Sequence, residues 1–204
     1  MKKNNKNKGF TLAEIVVVVG IFGIIVLAIS SFQVNVLNNN KYAQDSLSSA
    51  FDARNILRVM VKELRGASPG IDGSFAITTA ATNTIAFYSD VDGDGVKDKV
   101  RYYIATSTLK KGYIKPTGNP PVYSSANEVF ITLASNIKNA TSSPLFEYFD
   151  SNYAGTSTPL TQPVTLTNVH LVKINLLIDA DPNKSPNVRT YTSQVNLRNL
   201  KDNL

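Results

Sequence analysis

The sequence predicts an α+β protein: one long amino-terminal helix, transmembrane at first and amphipathic afterwards, packed against a small antiparallel β-sheet head. Three features of its 204 residues lead there. Ile15 to Ile29 contains no charged residue. From Val34 to Leu64 apolar residues recur at helical spacing among Gln, Asn, Lys and Asp. Beyond Thr84 the period shortens to two, in short β-rich runs separated by turns.

The first eight residues are polar and basic, carrying Lys2, Lys3, Lys6 and Lys8. They account for most of the formal net charge of +6, and the remainder of the chain is close to neutral. The basic cluster is thus explained as a topogenic signal, which weakens a nucleic-acid reading based on overall charge. Phe10 to Ile29 supplies 20 residues, about 30 Å of helix and enough to span a hydrocarbon core. The positive-inside bias keeps the lysines in the cytoplasm and sends everything after Ser30 outward. Cysteine is absent, so disulfides, thiolate metal sites and thiol nucleophiles are excluded.

Two ordinary readings compete for this segment. It could be a conventional signal peptide ending near Ala28-Ile29-Ser30, or a plain anchor. Neither accounts for Glu14, because an acidic side chain in the outer turns of a spanning helix costs several kcal/mol on insertion scales (~2.5–3.5) and marks a function. A cut between Gly9 and Phe10 resolves this. It creates a cationic amine one helical turn from Glu14, and between subunits a desolvated pair of Glu14 with a neighbour's Phe10 amine would select a register.

The run GFTLAEIVVVVGIFGII, residues 9–25, resembles the amino-terminal signature of type IV prepilins and type II secretion pseudopilins. The resemblance implies cleavage after Gly9, methylation of Phe10 and a registering role for Glu14 in assembly, with Leu12 and Ala13 fitting the intervening pattern. Implied partners are prepilin peptidase, other major and minor pilins or pseudopilins, and an inner-membrane assembly platform. The implied location is the bacterial cytoplasmic membrane, crossed once, with the head outside. The chain departs from many major pilins in having Ser30 and Ser31, and no proline before Pro69, where those carry a proline late in the apolar half. The organisation that follows is a leader over 1–9, a transmembrane helical segment over 10–31, its amphipathic continuation over 32–66 and a β-rich head over 67–204.

The continuation is marked by Val34, Leu37, Leu47, Ala50, Phe51, Leu57, Val61 and Leu64, and Gly66 and Pro69-Gly70 stop it. Asn38-Asn39-Asn40 is a weak point where a bend is expected. Strands are expected at 84–89, 99–105, 129–133, 145–149 and 172–178, the last paired with 191–197. RYYIATSTLKKG (101–112), LFEYFD (145–150), VHLVKINLLID (169–179) and VNLRN (195–199) occur in an order that resembles J-type minor pseudopilins and W-type minor pilins. That resemblance implies a minor subunit, and the bulk of the head, several times a minimal peptide tail, suits a place at or near a filament tip.

One part of the head carries sharper chemistry. In the run 90–98, DVDGDGVKD, the carboxylates of Asp90, Asp92, Asp94 and Asp98 could gather around Ca²⁺, with the Val96 carbonyl adding an oxygen. The spacing resembles an EF-hand loop, but Arg101 stands where that loop places a bidentate Glu, and the flanks read as strands. The alternative is a Gly-Asp hairpin turn kept soluble by charge. No cofactor is required by any motif.

No enzyme is indicated. His170 is the only histidine and sits in an alternating strand pattern without ligand partners nearby, and no G-x-S-x-G elbow occurs. Lys110, Lys111 and Lys115 form an expected small basic patch, although no stacking platform accompanies it. Tyr102, Tyr103, Tyr113 and Tyr123 read mainly as sheet packing. Two functions remain: a structural or initiating subunit of a type II secretion pseudopilus or type IV pilus, or an exposed adhesin or DNA-uptake module on the same stem.

Overall fold

The computed structural model describes residues 9–180 and 188–197. The basic segment 1–8, most of the loop before the last strand and the end of the VNLRN run lie outside the described residues.

A single α-helix, α1, covers Leu12–Arg65. Its start is fixed by a reciprocal capping box. The Glu14 backbone N–H donates to Thr11 Oγ1 (3.3 Å), and Glu14 Oε2 accepts from the Thr11 backbone N–H (2.8 Å) and hydroxyl (2.9 Å). Two otherwise orphaned donors are thereby satisfied at a helix end. Helix continues through Asn38, Asn39 and Asn40 and through the two serines. Ser30 and Ser31 return their hydroxyls to the carbonyls of Val26 and Ala28, at 2.8 and 2.9 Å, so neither presents an unsatisfied polar group to an apolar surrounding.

The chain divides into two compact units, Met1–Asp45 and Ser46–Leu204. In the first, every described residue from Gly9 to Lys41 is exposed, including Ile15, Phe22, Leu27 and Phe32. This helix is long and apolar enough to cross a membrane, and a lipid environment accounts for apolar side chains that contact no protein.

In the second unit α1 becomes one-sided. Ala53, Ile56, Leu57, Met60 and Leu64 are buried, at the three- and four-residue intervals that place them on one stripe. They pack into a core shared by two antiparallel sheets. The larger sheet runs in sequence order through β1 (Ile77–Ala81), β2 (Thr84–Ser89), β3 (Asp98–Ala105), β4 (Thr108–Ile114) and β5 (Val129–Ala134). The smaller consists of β6 (Phe146–Phe149), β7 (Leu171–Asp179) and β8 (Val188–Asn196). The expected antiparallel head is therefore present in two sheets, with β1 and β4 added to the strands anticipated at their sites.

The β1–β2 turn joins the sheets: Thr82 O accepts from Phe146 N, Asn83 Oδ1 from Leu145 N, and Ala81 O from the Tyr148 hydroxyl. Beyond β5, Asn139 acts as a clamp on β7, donating to Asn175 O and accepting from Leu177 N. In β4, Gly112 stands opposite Arg101. Arg101 makes a two-pronged pair with Glu128, at 3.0 and 2.9 Å, directly over the glycine. A Cβ on residue 112 would collide with the Glu128 carboxylate. Gly112→Ala is accordingly expected to destabilise the head by about 1–2 kcal/mol, against the usual gain from replacing a strand glycine. Denaturant titration of Gly112→Ala with and without Glu128→Ala should show strong non-additivity, and simple additivity would contradict this packing account.

Candidate functional site

Two groups of expected site residues are well defined. At the amino end, Gly9 and Phe10 precede the helix, and Phe10 is 84% exposed. Among the described residues, its chain neighbours aside, no heavy atom lies within 4 Å of the place a Gly9 Cβ would occupy. The Gly9–Phe10 bond is thus open, and it stands immediately ahead of the capping residue Thr11. Glu14, expected to act between subunits, is engaged with Thr11 within the chain. Thr11 was not singled out by sequence, although the Thr-x-x-Glu spacing of a capping box is legible there.

The acidic run forms the connection between β2 and β3, an antiparallel hairpin whose last paired residues are Ser89 and Asp98. Gly93 and Gly95 take positive φ (83° and 84°), a conformation that glycine alone adopts freely. The loop then folds its amide groups onto its own carboxylates. Asp90 accepts from Gly93 N (2.7 Å) and Gly95 N (2.9 Å), Asp92 from Asp94 N, and Asp94 from Val96 N (2.8 Å).

One carboxylate oxygen from each of Asp90, Asp92 and Asp94 lies within 4.8 Å of the others, so these three could hold a divalent ion. Asp98 is not in that close group. It is buried at the base of the hairpin, and its Oδ2 has no hydrogen-bond partner. Burial pushes the Asp98 carboxyl up, and the nearby charge of Asp92 adds to the shift. Val96 contributes its amide to Asp94, and Arg101 is committed to Glu128 on the sheet.

Lys115 is the residue that sequence spacing did not reveal here. Its ammonium bonds Asp92 and stands 3.7 Å from Asp94. The hydrogen bond from Lys115 holds the Asp92 carboxyl below its ordinary range. The strand register explains the meeting: Lys99 pairs with Ile114, so the next residue along lies beside Asp98 and the loop.

The expected basic patch is therefore not formed. Lys115 serves the acidic loop, while Lys111 turns inward to Glu63 on α1, Nζ to Oε1 2.6 Å. Successive strand residues point to opposite faces, so Lys110 and Lys111 cannot share one surface. The Tyr102 hydroxyl donates to the other Glu63 oxygen, also at 2.6 Å, and burial pushes that hydroxyl far up, so it stays protonated. Tyr123 also has a packing role, donating to Lys97 O and lying against Tyr88. His170 sits just ahead of β7, its Nδ1 3.2 Å from Asn168 O.

Residues 4–30 match the family described as the prokaryotic N-terminal methylation motif. No curated protein matches the chain. The matched stretch includes the Gly9–Phe10 bond, the capping box and nearly all of the apolar run. The charged groups described above serve packing, capping and loop closure. The long helix and antiparallel β head form a pilin-like α+β fold, and the chain carries at its amino end a methylation motif of the kind typical of type IV pilin- and pseudopilin-like proteins.

Proposed function

We propose that the chain is a minor pilin or pseudopilin, a structural or initiating subunit of a type II secretion pseudopilus or type IV pilus. In this reading prepilin peptidase cuts between Gly9 and Phe10 and methylates the new amine. The subunit stays in the cytoplasmic membrane with its head outside until other pilin subunits and the assembly platform take it up. The order of the tyrosine-rich β3–β4 hairpin, the aromatic β6 and the long β7–β8 pair supports a J-type or W-type minor subunit within that class.

The observation that carries the proposal is the methylation motif, whose span includes an exposed bond directly before a capped apolar helix. A peptidase needs an accessible, non-helical bond, and the Thr11–Glu14 box keeps the first helical turn from reaching back over Gly9. Intact-mass and amino-terminal peptide measurements on mature protein should find methyl-Phe10. A Met1 terminus in assembled filaments would overturn the assignment.

The hairpin loop supports a second element of the proposal, a Ca²⁺ site built on Asp90, Asp92 and Asp94. The unpartnered Asp98 Oδ2 beneath them adds an acceptor. A hard cation with flexible oxygen coordination suits such a set, and Lys115 competes for it. Lys115→Ala is expected to raise Ca²⁺ affinity several-fold and to lower stability in chelator. The Asp92→Ala, Asp94→Ala double variant should not respond. Calorimetry and melting of the full chain in detergent at about millimolar Ca²⁺ test this. If neither wild type nor Lys115→Ala shows heat or a melting shift, the loop is a turn closed by its own lysine.

A further inference from the structure

A groove runs through the head unit between α1 and the last strand. It has a volume of about 760 Å³ and is lined by Arg54, Arg58, Lys62 and Arg65 of the helix and by Thr192 and Ser193 of β8. The four cations share one helix face, since 54, 58, 62 and 65 fall at intervals of four, four and three. All four are exposed, and among the described residues none has an ion-pair partner. Cations near a helix carboxyl end are ordinary because they answer the helix dipole, which accounts for Lys62 and Arg65 in the last turn. Arg58 and Arg54 lie about two and three turns from the helix end, beyond that effect, and like charges at four-residue spacing repel. This face is arranged for negative charge from elsewhere.

The opposite wall indicates what form that charge takes. β8 is the last strand of its sheet, and among the described residues it pairs only with β7. Thr192 and Ser193 are neighbours whose side chains point to opposite faces, yet both line the groove. The groove therefore abuts the strand's edge, where main-chain donors and acceptors lie, and not one face of the sheet. It continues into a second recess, of about 350 Å³, shared by Arg65 with Gln194 and Asn196. No aromatic ring lines either recess, so a base-stacking ligand finds no platform. An open β edge alongside a row of cations matches an extended polypeptide with acidic side chains at every second position.

We propose that this groove binds an acidic, extended segment of a partner protein, which adds a strand to β8 and places its carboxylates against Arg54, Arg58 and Lys62. The inference concerns the head alone and stands apart from processing at Gly9–Phe10. It is tested with the full chain in detergent and a labelled peptide of alternating Glu and Thr, read by fluorescence anisotropy. The peptide should bind in a salt-dependent way. Methylating alternate backbone amides on its pairing edge should weaken binding at least roughly tenfold. Arg58→Gln with Lys62→Gln should weaken it by a similar factor, and Lys41→Gln with Lys110→Gln, which removes equal charge elsewhere, should leave it unchanged. Absence of binding at low salt, equal binding of the methylated peptide, or tighter binding of oligothymidine or anionic vesicles would overturn the proposal. So would concentration-dependent self-association that the peptide displaces, since that assigns the groove to a second copy of the chain.

Discussion

Lys111→Met should cost the head about 3–5 kcal/mol, the penalty for leaving an uncompensated charge in a protein interior. Glu63 and Lys111 have side chains only 9% and 11% exposed, and their contact of 2.6 Å is the shortest route by which either finds a counterion. Removing the ammonium leaves Glu63, among the described residues, with one remaining side-chain partner, the Tyr102 hydroxyl. Tyr102 is cross-strand from Lys111, so a single row of the sheet supplies both donors to one carboxylate. Replacing all three by apolar groups of similar size, Glu63→Met with Tyr102→Phe and Lys111→Met, should recover most of the loss. A buried pair competes with a well-packed apolar core on near-equal terms. Denaturant unfolding of wild type, single and triple variants measures this. If Lys111→Met loses under about 1 kcal/mol, the pair is solvated and the account fails.

Glu14→Ala is expected to leave membrane insertion intact and to reduce filament incorporation by at least roughly tenfold. The estimate follows from losing a desolvated pair worth more than about 1.4 kcal/mol. In the lone chain the Glu14 carboxylate caps Thr11. In a filament, as proposed, the same carboxylate also meets a neighbour's Phe10 amine. Thr11→Val separates the two roles, because it removes the hydroxyl contacts and keeps the carboxylate. Quantifying membrane-bound and filament-bound protein for both variants decides between them. Equal losses would assign Glu14 to helix capping, and unchanged incorporation in Glu14→Ala would remove its assembly role.

Much of the architecture was readable because burial imposes a period. The alternation of Val172, Ile174, Leu176 and Ile178 is buried as its spacing requires. Of the helical stripe read from spacing, by contrast, only Leu57 and Leu64 are buried; Val34, Leu37, Leu47 and Phe51 are exposed, and the buried face takes Ala53, Ile56 and Met60 in their place. β1, with the sequence ITTAA, carries little apolar contrast. β4 holds two consecutive lysines and a glycine, which disguise a strand whose inward lysine is neutralised from another element. The acidic loop was visible as composition, but its countercharge was not. Lys115 reaches Asp92 across 23 positions, a proximity created by the β3–β4 register. Pairings of this kind depend on tertiary placement, which local periodicity does not encode.

The row formed by Arg101, Tyr102, Lys111 and Gly112 is fastened on both surfaces of the larger sheet. Glu128 grips Arg101 on the outer surface, and Glu63 grips Tyr102 and Lys111 on the inner one. Apolar packing tolerates a small slide between a helix and a sheet, since one greasy contact replaces another. Two hydrogen bonds at 2.6 Å to a single carboxylate do not. A slide of α1 by two residues' rise, about 3 Å, square to these bonds would stretch both to about 4 Å, beyond hydrogen-bond range. Axial load on the lower part of α1 is thus delivered to the sheet through a toothed coupling at Glu63. A pulled chain should yield abruptly there, at a defined force, in place of creeping.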